Sequence, residues 1–153
     1  LLVGDGTEKA GLEKKAREKN LDNIVFKPFV GLAEYDDLLN CADVGLVTLS
    51  PEMKTPVVPG KLVSYLAKKV PVLASLNKES DGCQIILEGK CGLLNNAGDG
   101  RQLADNALYL MNHPDAARQM GESGWRYIRD TMSKGKIMNQ YETLFLQLVA
   151  GKS

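Results

Sequence analysis

"TPVVPGKLVSYLAKKVPVLAS", residues Thr55 to Ser75, runs a Pro-rich loop into a short amphipathic segment and then into an apolar one. Pro59-Gly60-Lys61 reads as a helix start, because proline presets the chain and the first-turn N–H groups have no partner inside a helix. The helix is expected from about Gly60 to Lys69, with Leu62, Val63, Leu66 and Ala67 as its packing face and Lys61, Ser64 and Lys68 nearer solvent or a cleft. A strand over Val70–Ser75 follows it directly.

The same alternation extends in both directions. Upstream, "DVGLVTL" is apolar almost throughout, as in a parallel sheet covered on both sides. Before it come a short helix, "AEYDDLLNCA", with Tyr35, Leu38, Leu39 and Ala42 on one face, and a strand, "NIVFKPF". The chain opens on the strand "LLVG", the turn "GDGTE" and the charged helix "EKAGLEKKAREKN", in which Leu12 and Ala16 lie four apart. Asp5 and Glu8 have the spacing of a capping box, and Asn20 is a terminator. Downstream, "KESDGCQIILEGK" predicts a turn and short helix and "CGLLN" a last short strand. Beyond Gly98 only helical periodicity remains.

Strands alternating with helices predict right-handed crossovers and a mainly parallel sheet, that is, a doubly wound α/β, Rossmann-like fold. The organisation expected is a core over residues 1–98 and a helical C-terminal part of the same domain over 99–153. Ligands of such sheets bind beyond the carboxyl ends of the strands. The loops that matter are therefore Gly4–Thr7, Pro28–Glu34, Ser50–Lys61 and Ser75–Gly82.

Composition narrows the function classes. The 153 residues are 44% hydrophobic, enough for one core. Lys+Arg and Asp+Glu both number 19, so no net field draws the chain to nucleic acid or to an anionic membrane, and an anion site must be local. Cys41, Cys83 and Cys91 form no Cys-x-x-Cys pair, which argues against a zinc site or a disulfide framework and predicts reduced, mostly buried thiols. No apolar run approaches the roughly 20 residues of a membrane span and no leader resembles a signal peptide. A chain opening on Leu1-Leu2-Val3 without Met reads as a fragment.

Gly4-Asp5-Gly6 stands between strand and helix, where bare backbone and the helix dipole favour a phosphate. It lacks the third glycine and the later acidic residue of a dinucleotide fingerprint. Pro59-Gly60-Lys61 adds a full charge beside helix-start amides. His113, the one histidine, lies in a connector with no Ser-His-Asp or Cys-His arrangement in reach, so hydrolase chemistry lacks its usual base. Asp36, Asp37 and Glu52 have no partner at metal-ligand spacing, and Trp125 and Tyr127 read as packing residues of a helix.

In order and spacing, "VGDG", "NIVFKPFV", "CADVGLV", "YLAKKVPVLAS" and "CGLL" resemble the C-terminal, donor-binding half of retaining glycosyltransferases of family 4, which have the GT-B fold of two facing Rossmann-like domains. "VPGKLVSYLA" is most similar to the bacterial surface-polysaccharide transferases. The resemblance spans Leu1 to about Tyr127 and implies a nucleotide-diphosphate sugar as substrate. Gly4 and Gly6 would line the cleft floor, Phe29, Val30 and Gly31 would meet the nucleobase largely through backbone, and Gly60, Lys61 and Leu62 would hold the diphosphate. The two glutamates usual in the family, eight positions apart, are replaced by Pro56 and Ser64. Ser64 retains a hydroxyl for the donor ribose.

The resemblance further implies a metal-independent, hexosyltransferase-type reaction that passes a hexose or N-acetylhexosamine to a polysaccharide or lipid-linked acceptor. It needs no cofactor and no metal. The setting it implies is cytoplasmic, at the inner face of the membrane in the full-length protein, with no nucleic-acid partner and no transmembrane segment. The family's first strand and helix and its N-terminal acceptor domain do not precede "VGDG". In a sheet of order 3-2-1-4-5-6 the absent strand is central, so a lone chain is expected to be partly unstable, to close the gap by rearranging, or to borrow a strand in a strand-sharing homodimer. Two rival readings are a non-catalytic GT-B-like assembly or regulatory module, which loss of both glutamates would mark, and an unrelated Rossmann-like dinucleotide-binding protein.

Overall fold

The computed structural model describes residues 1–150. It divides into two compact units, Leu1–Cys41 and the chain from Ala42 on.

The first unit is β1 (Leu2–Val3), α1 (Lys9–Glu18), β2 (Phe26–Lys27) and α2 (Leu32–Asn40). β1 and β2 pair in parallel, Leu2 opposite Phe26 and Val3 opposite Lys27. The ladder in "NIVFKPF" is thus two residues long, because the strand it pairs with is itself only two residues long. Ala16 and Leu39 are the buried apolar side chains, while Leu12 stays 45% exposed. The face read for α2 holds for Tyr35, Leu38 and Leu39, its less exposed positions, while Ala42 falls beyond the end of the helix. Asn20 ends α1 with φ 51° and bonds back to the Arg17 carbonyl, as a left-handed terminator does. The capping box does not form: Glu8 is the N-cap without a side-chain bond, and Asp5 is used elsewhere.

The second unit continues with β3 (Gly45–Thr48), α3 (Gly60–Ala67), β4 (Val72–Leu76), α4 (Asp81–Gly89), β5 (Gly92–Asn96), α5 (Gly100–Asn112), α6 (Pro114–Thr131) and α7 (Lys134–Ala150). Its sheet is parallel in the order β3-β4-β5, with Val72 between Gly45 and Gly92 and Ser75 between Thr48 and Asn95. Every residue of central β4 is buried. Alternation sends Val72, Ala74 and Leu76 to one face, with Val47, Leu62, Leu66, Ile85, Ile86 and Cys91. Leu73 goes to the other face with Leu110 and Ala117. Both faces are covered, which is the doubly wound arrangement expected.

α3 buries Leu62 and Leu66 completely, each contributing on the order of 2–3 kcal/mol by burial. Val63 and Ala67, expected to share that face, lie exposed, and Tyr65 takes their place against the core. The reason is close packing on the other flank. α6 approaches through Gly124, where a Cβ would stand 2.5 Å from Leu66 Cδ2 and 2.7 Å from Cys91 Cβ, which turns the Leu62–Leu66 edge of α3 inward. Of the three thiols only Cys91 is buried; Cys83 is intermediate and Cys41 exposed, which corrects the expectation of mostly buried cysteines.

Candidate functional site

In the first unit, the post-strand loops at Gly4–Gly6 and Phe29–Gly31 are joined by one carboxylate. Gly4 leaves β1 with φ 137°, a conformation that needs glycine, while its N–H donates to the Lys27 carbonyl at 3.1 Å. That places Asp5 so that Oδ1 accepts from Lys9 Nζ at 2.8 Å and Oδ2 accepts from the Phe29 N–H at 2.8 Å. The Lys9 hydrogen bond, followed by that of the Phe29 amide, holds the Asp5 carboxyl below its ordinary range. Phe29 has therefore spent its amide, and it offers a ring that is 78% exposed. Val30 is half-buried, and Gly31 is the extended N-cap of α2, its carbonyl accepting from Tyr35 N–H at 2.9 Å.

In the second unit, α3 begins without a capping side chain. Pro59 is the N-cap, with φ −60° and ψ 123°, and the first turn carries no acidic residue. By helix geometry the Gly60 and Lys61 N–H groups have no partner within the helix. Leu62 already donates its own N–H to the Pro59 carbonyl at 2.9 Å and buries its side chain, so of this group only Gly60 and Lys61 remain outward-facing donors. Ser64 Oγ donates back to the Gly60 carbonyl at 3.4 Å. Pro56 lies exposed in the preceding loop. The three helices that follow α3 start closed or carry an acid: Ser80 caps α4 beside Asp81, Asp99 caps α5 by accepting from the Gln102 N–H at 2.9 Å, and α6 has Asp115 in its first turn. The α3 start, by contrast, is a positive helix end left open.

The glycines at these positions share a property. A Cβ built on Gly6, Gly31 or Gly60 meets nothing within 4 Å, and none of the three has a positive φ. Neither packing nor backbone conformation demands glycine there, which leaves bare backbone that an incoming group can approach.

His113 is the connector expected, closing α5 and opening α6, with Nδ1 at 2.8 Å from the Tyr109 carbonyl and its ring stacked on Tyr109. Trp125 lies between Lys69 and Arg129, 4.9 and 4.8 Å from its ring, and Tyr127 donates to Glu88 at 2.8 Å, both packing roles. Two cavities, of about 600 and 580 Å³, contain none of the candidate residues. They are lined by Phe26 and Asn20 in one unit and by Val44, Pro71 and Leu110 in the other, and so lie towards the amino ends of the strands.

Sequence reasoning missed Asp5 as a loop tie, and it missed Asn77 and Ser80. The last two were hidden inside the flanking loop Ser75–Gly82, where Asn77 Nδ2 donates to the Ser50 and Met53 carbonyls and Ser80 Oγ to that of Val57. No local pattern announces such bonds.

Comparison with known proteins gives a consistent picture. The sequence profile of the family described as "Glycosyl transferases group 1" matches residues 1–113. N-acetyl-alpha-D-glucosaminyl L-malate synthase of Bacillus anthracis is 27% identical over 150 residues, 97% of this chain and 37% of that protein. Among solved structures, sucrose-phosphate synthase from Thermosynechococcus elongatus superposes with a TM-score of 0.75 at 24% identity, over 95% of this chain and 35% of its own. A point mutant of S. aureus TarM, solved with fondaparinux, alpha-GlcNAc-glycerol and UDP, gives 0.72 at 21%, over 94% and 28%. These likenesses bear out the α/β GT-B fold expected from the sequence. The chain spans about a third of the length of these relatives. No helix among the described residues is long and apolar enough to cross a membrane.

Proposed function

This chain belongs to the glycosyl transferases of group 1, and from that premise we propose that it is the part of a GT-B glycosyltransferase that holds the nucleotide-sugar donor. The observation that carries the reading is the α3 start: an uncapped, acid-free helix N-terminus with bare Gly60 in its first turn and exposed Lys61 beside it. Two amides and a full positive charge there match a diphosphate, and they stabilise it further as it departs with the developing charge of the leaving group. This allows transfer without a divalent cation. In the other unit the open backbone at Gly4, Gly6 and Gly31 and the exposed Phe29 ring would receive the nucleoside. Ser64, one turn further along α3, would hydrogen-bond a ribose hydroxyl.

The donor is a UDP-hexose or UDP-N-acetylhexosamine. The N-acetylglucosaminyl chemistry in the name of the B. anthracis relative and the UDP in the TarM structure support that choice. The acceptor is a polysaccharide or lipid-linked sugar of family 4 surface-polysaccharide type, bound by a facing N-terminal domain on the cytoplasmic side.

Isothermal calorimetry on the full-length polypeptide carrying this chain tests the reading, with UDP, GDP and UDP-N-acetylglucosamine, each with and without EDTA. Binding that survives EDTA is expected. Lys61→Ala should raise Kd about fivefold, the order of one screened charge pair at about 4 Å. No binding of any of the three at millimolar concentration would sink the donor-site reading. A second reading, a non-catalytic relative that binds donor without turnover, is favoured by Pro56 and Ser64 in the glutamate positions. Assaying sugar-nucleotide hydrolysis and transfer separates the two.

A further inference from the structure

The loop from Ser50 to Pro59 leads into the α3 start, forms no regular element and exposes its side chains from Pro51 to Pro56. Left free, such a segment would carry the Gly60 and Lys61 amides through many positions, and ordering it on binding would cost affinity. Its backbone is instead fixed from the turn between β4 and α4. Asn77 Nδ2 gives one N–H to the Ser50 carbonyl at 2.8 Å and reaches the Met53 carbonyl at 2.6 Å. Ser80 Oγ donates to the Val57 carbonyl at 2.7 Å and accepts from the Gly82 N–H at 3.3 Å, and that N–H also reaches Val57 O at 3.3 Å. Asn77 and Ser80 are only 9% and 3% exposed. The final support is steric: a Cβ on Gly82 would come 3.0 Å from Pro59 Cδ, so the N-cap of α3 rests on bare backbone at the start of α4.

We propose that Asn77 and Ser80 are positioning residues for the donor diphosphate, holding the α3 start in its binding geometry before the ligand arrives. The proposal rests on the donor-site reading above. The pins converge on the carbonyls at 50, 53 and 57 and on Pro59, the segment that delivers Gly60 and Lys61. A residue that only stabilised the fold would affect nucleoside and nucleotide alike, whereas these act on the contribution of the diphosphate alone.

The test measures that contribution directly. In the full-length polypeptide, calorimetry compares UDP with uridine, and GDP with guanosine, for wild type, Asn77→Ala, Ser80→Ala, Ser80→Thr and Gly82→Ala. Wild type should bind one diphosphate more tightly than its nucleoside. Asn77→Ala and Ser80→Ala should each shrink that ratio about tenfold, equivalent to about 1.4 kcal/mol, with nucleoside Kd unchanged. Ser80→Thr, which keeps the hydroxyl, should restore the ratio. Retention of the ratio within about twofold in both alanine variants overturns the proposal. Should an alanine variant lose nucleoside binding as well, Gly82→Ala decides, because it removes no hydrogen-bonding group while its Cβ presses on Pro59 Cδ at 3.0 Å and on Leu76 Cδ1 and Ser80 Oγ at 3.2 Å. A shrunken ratio there supports the proposal and an unchanged one overturns it. A wild type with no preference for either diphosphate overturns the donor-site reading itself, an outcome distinct from failure of the variants alone.

Discussion

Gly121→Ala is the substitution whose cost the structure defines most sharply. A Cβ at this point of α6 would overlap the Lys69 carbonyl oxygen, and it would stand 2.8 Å from the carbonyl carbon and 3.4 Å from Pro71 Cδ. The carbonyl cannot retreat, because Lys69 turns out of α3 at φ 60° while the flanking N–H groups of Lys69 and Val70 bond back to Leu66 and Tyr65. α6 must therefore lift, and with it Gly124, seated on Leu66 and Cys91, and the half-buried Tyr127 and Ile128. Overpacking of a core costs about 1–3 kcal/mol, and a fixed backbone obstacle belongs at the upper end. Alanine returns up to about 1 kcal/mol as the better helix former. The net loss is about 2–3 kcal/mol, a drop of about 10 °C in Tm for a unit of this size. Gly135→Ala in α7, where the new methyl meets nothing within 4 Å, is the matched control and should be neutral or slightly stabilising. Circular dichroism melts and guanidinium titrations of both variants supply the readout. A Gly121→Ala protein within about 1 kcal/mol of wild type would refute the packing account of α6, because the fixed carbonyl puts the cost at the upper end of the overpacking range and alanine returns no more than about 1 kcal/mol of it.

Three further outcomes follow from the same structure. Leu66→Ala, emptying a side chain that is 0% exposed against α6, should cost about 3 kcal/mol in denaturant unfolding, and a loss below about 1 kcal/mol would show that the site collapses without a cavity. Asp5, depressed below its ordinary 3.8 chiefly by Lys9 and then by the Phe29 amide, lends stability that is complete above pH 3.8 and lost as pH falls through its lower folded value. The Phe29 amide resonance should accordingly shift only below pH 3.8 and lose that transition in Asp5→Asn; a midpoint at or above 3.8 contradicts the pairing. Thiol labelling should modify exposed Cys41 first and Cys83 more slowly, since partial burial raises its pKa, and should reach Cys91, pushed up to about 11 by burial, only on unfolding.

What the sequence made legible follows the range of the interactions involved. The helices of the C-terminal part carry their apolar residues at three- and four-residue spacing, a local signal, and α5, α6 and α7 lie where that signal lies. Strand lengths were less legible, because a ladder ends where its partner ends: seven residues of "NIVFKPF" have β-like character, yet only Phe26 and Lys27 find β1 opposite. The inward edge of α3 needed tertiary information of another kind. Leu62-Val63 and Leu66-Ala67 are adjacent apolar pairs, and which member turns inward is decided by Gly124 of α6, more than fifty residues away in the chain.

The candidate site divides along the same line. That α3 starts open is written locally, in Pro59-Gly60-Lys61, where α4 and α5 show Ser80 and Asp99 as capping residues. Which residues hold that start in place is not, since Asn77 and Ser80 act over separations of 23 to 27 residues, and Asp5 reaches Phe29 over 24. Ser80 shows why inspection of the sequence misses such a role. As the residue before Asp81-Gly82 it reads as an ordinary N-cap, and it is one, accepting from the Gly82 amide. Its hydroxyl proton is then left over, and a hydroxyl buried to 3% exposure must give that proton to something. The acceptor is the Val57 carbonyl, two residues before the N-cap of α3. One side chain thus caps α4 and, through the Val57 carbonyl, ties down the segment that leads into the open start of α3.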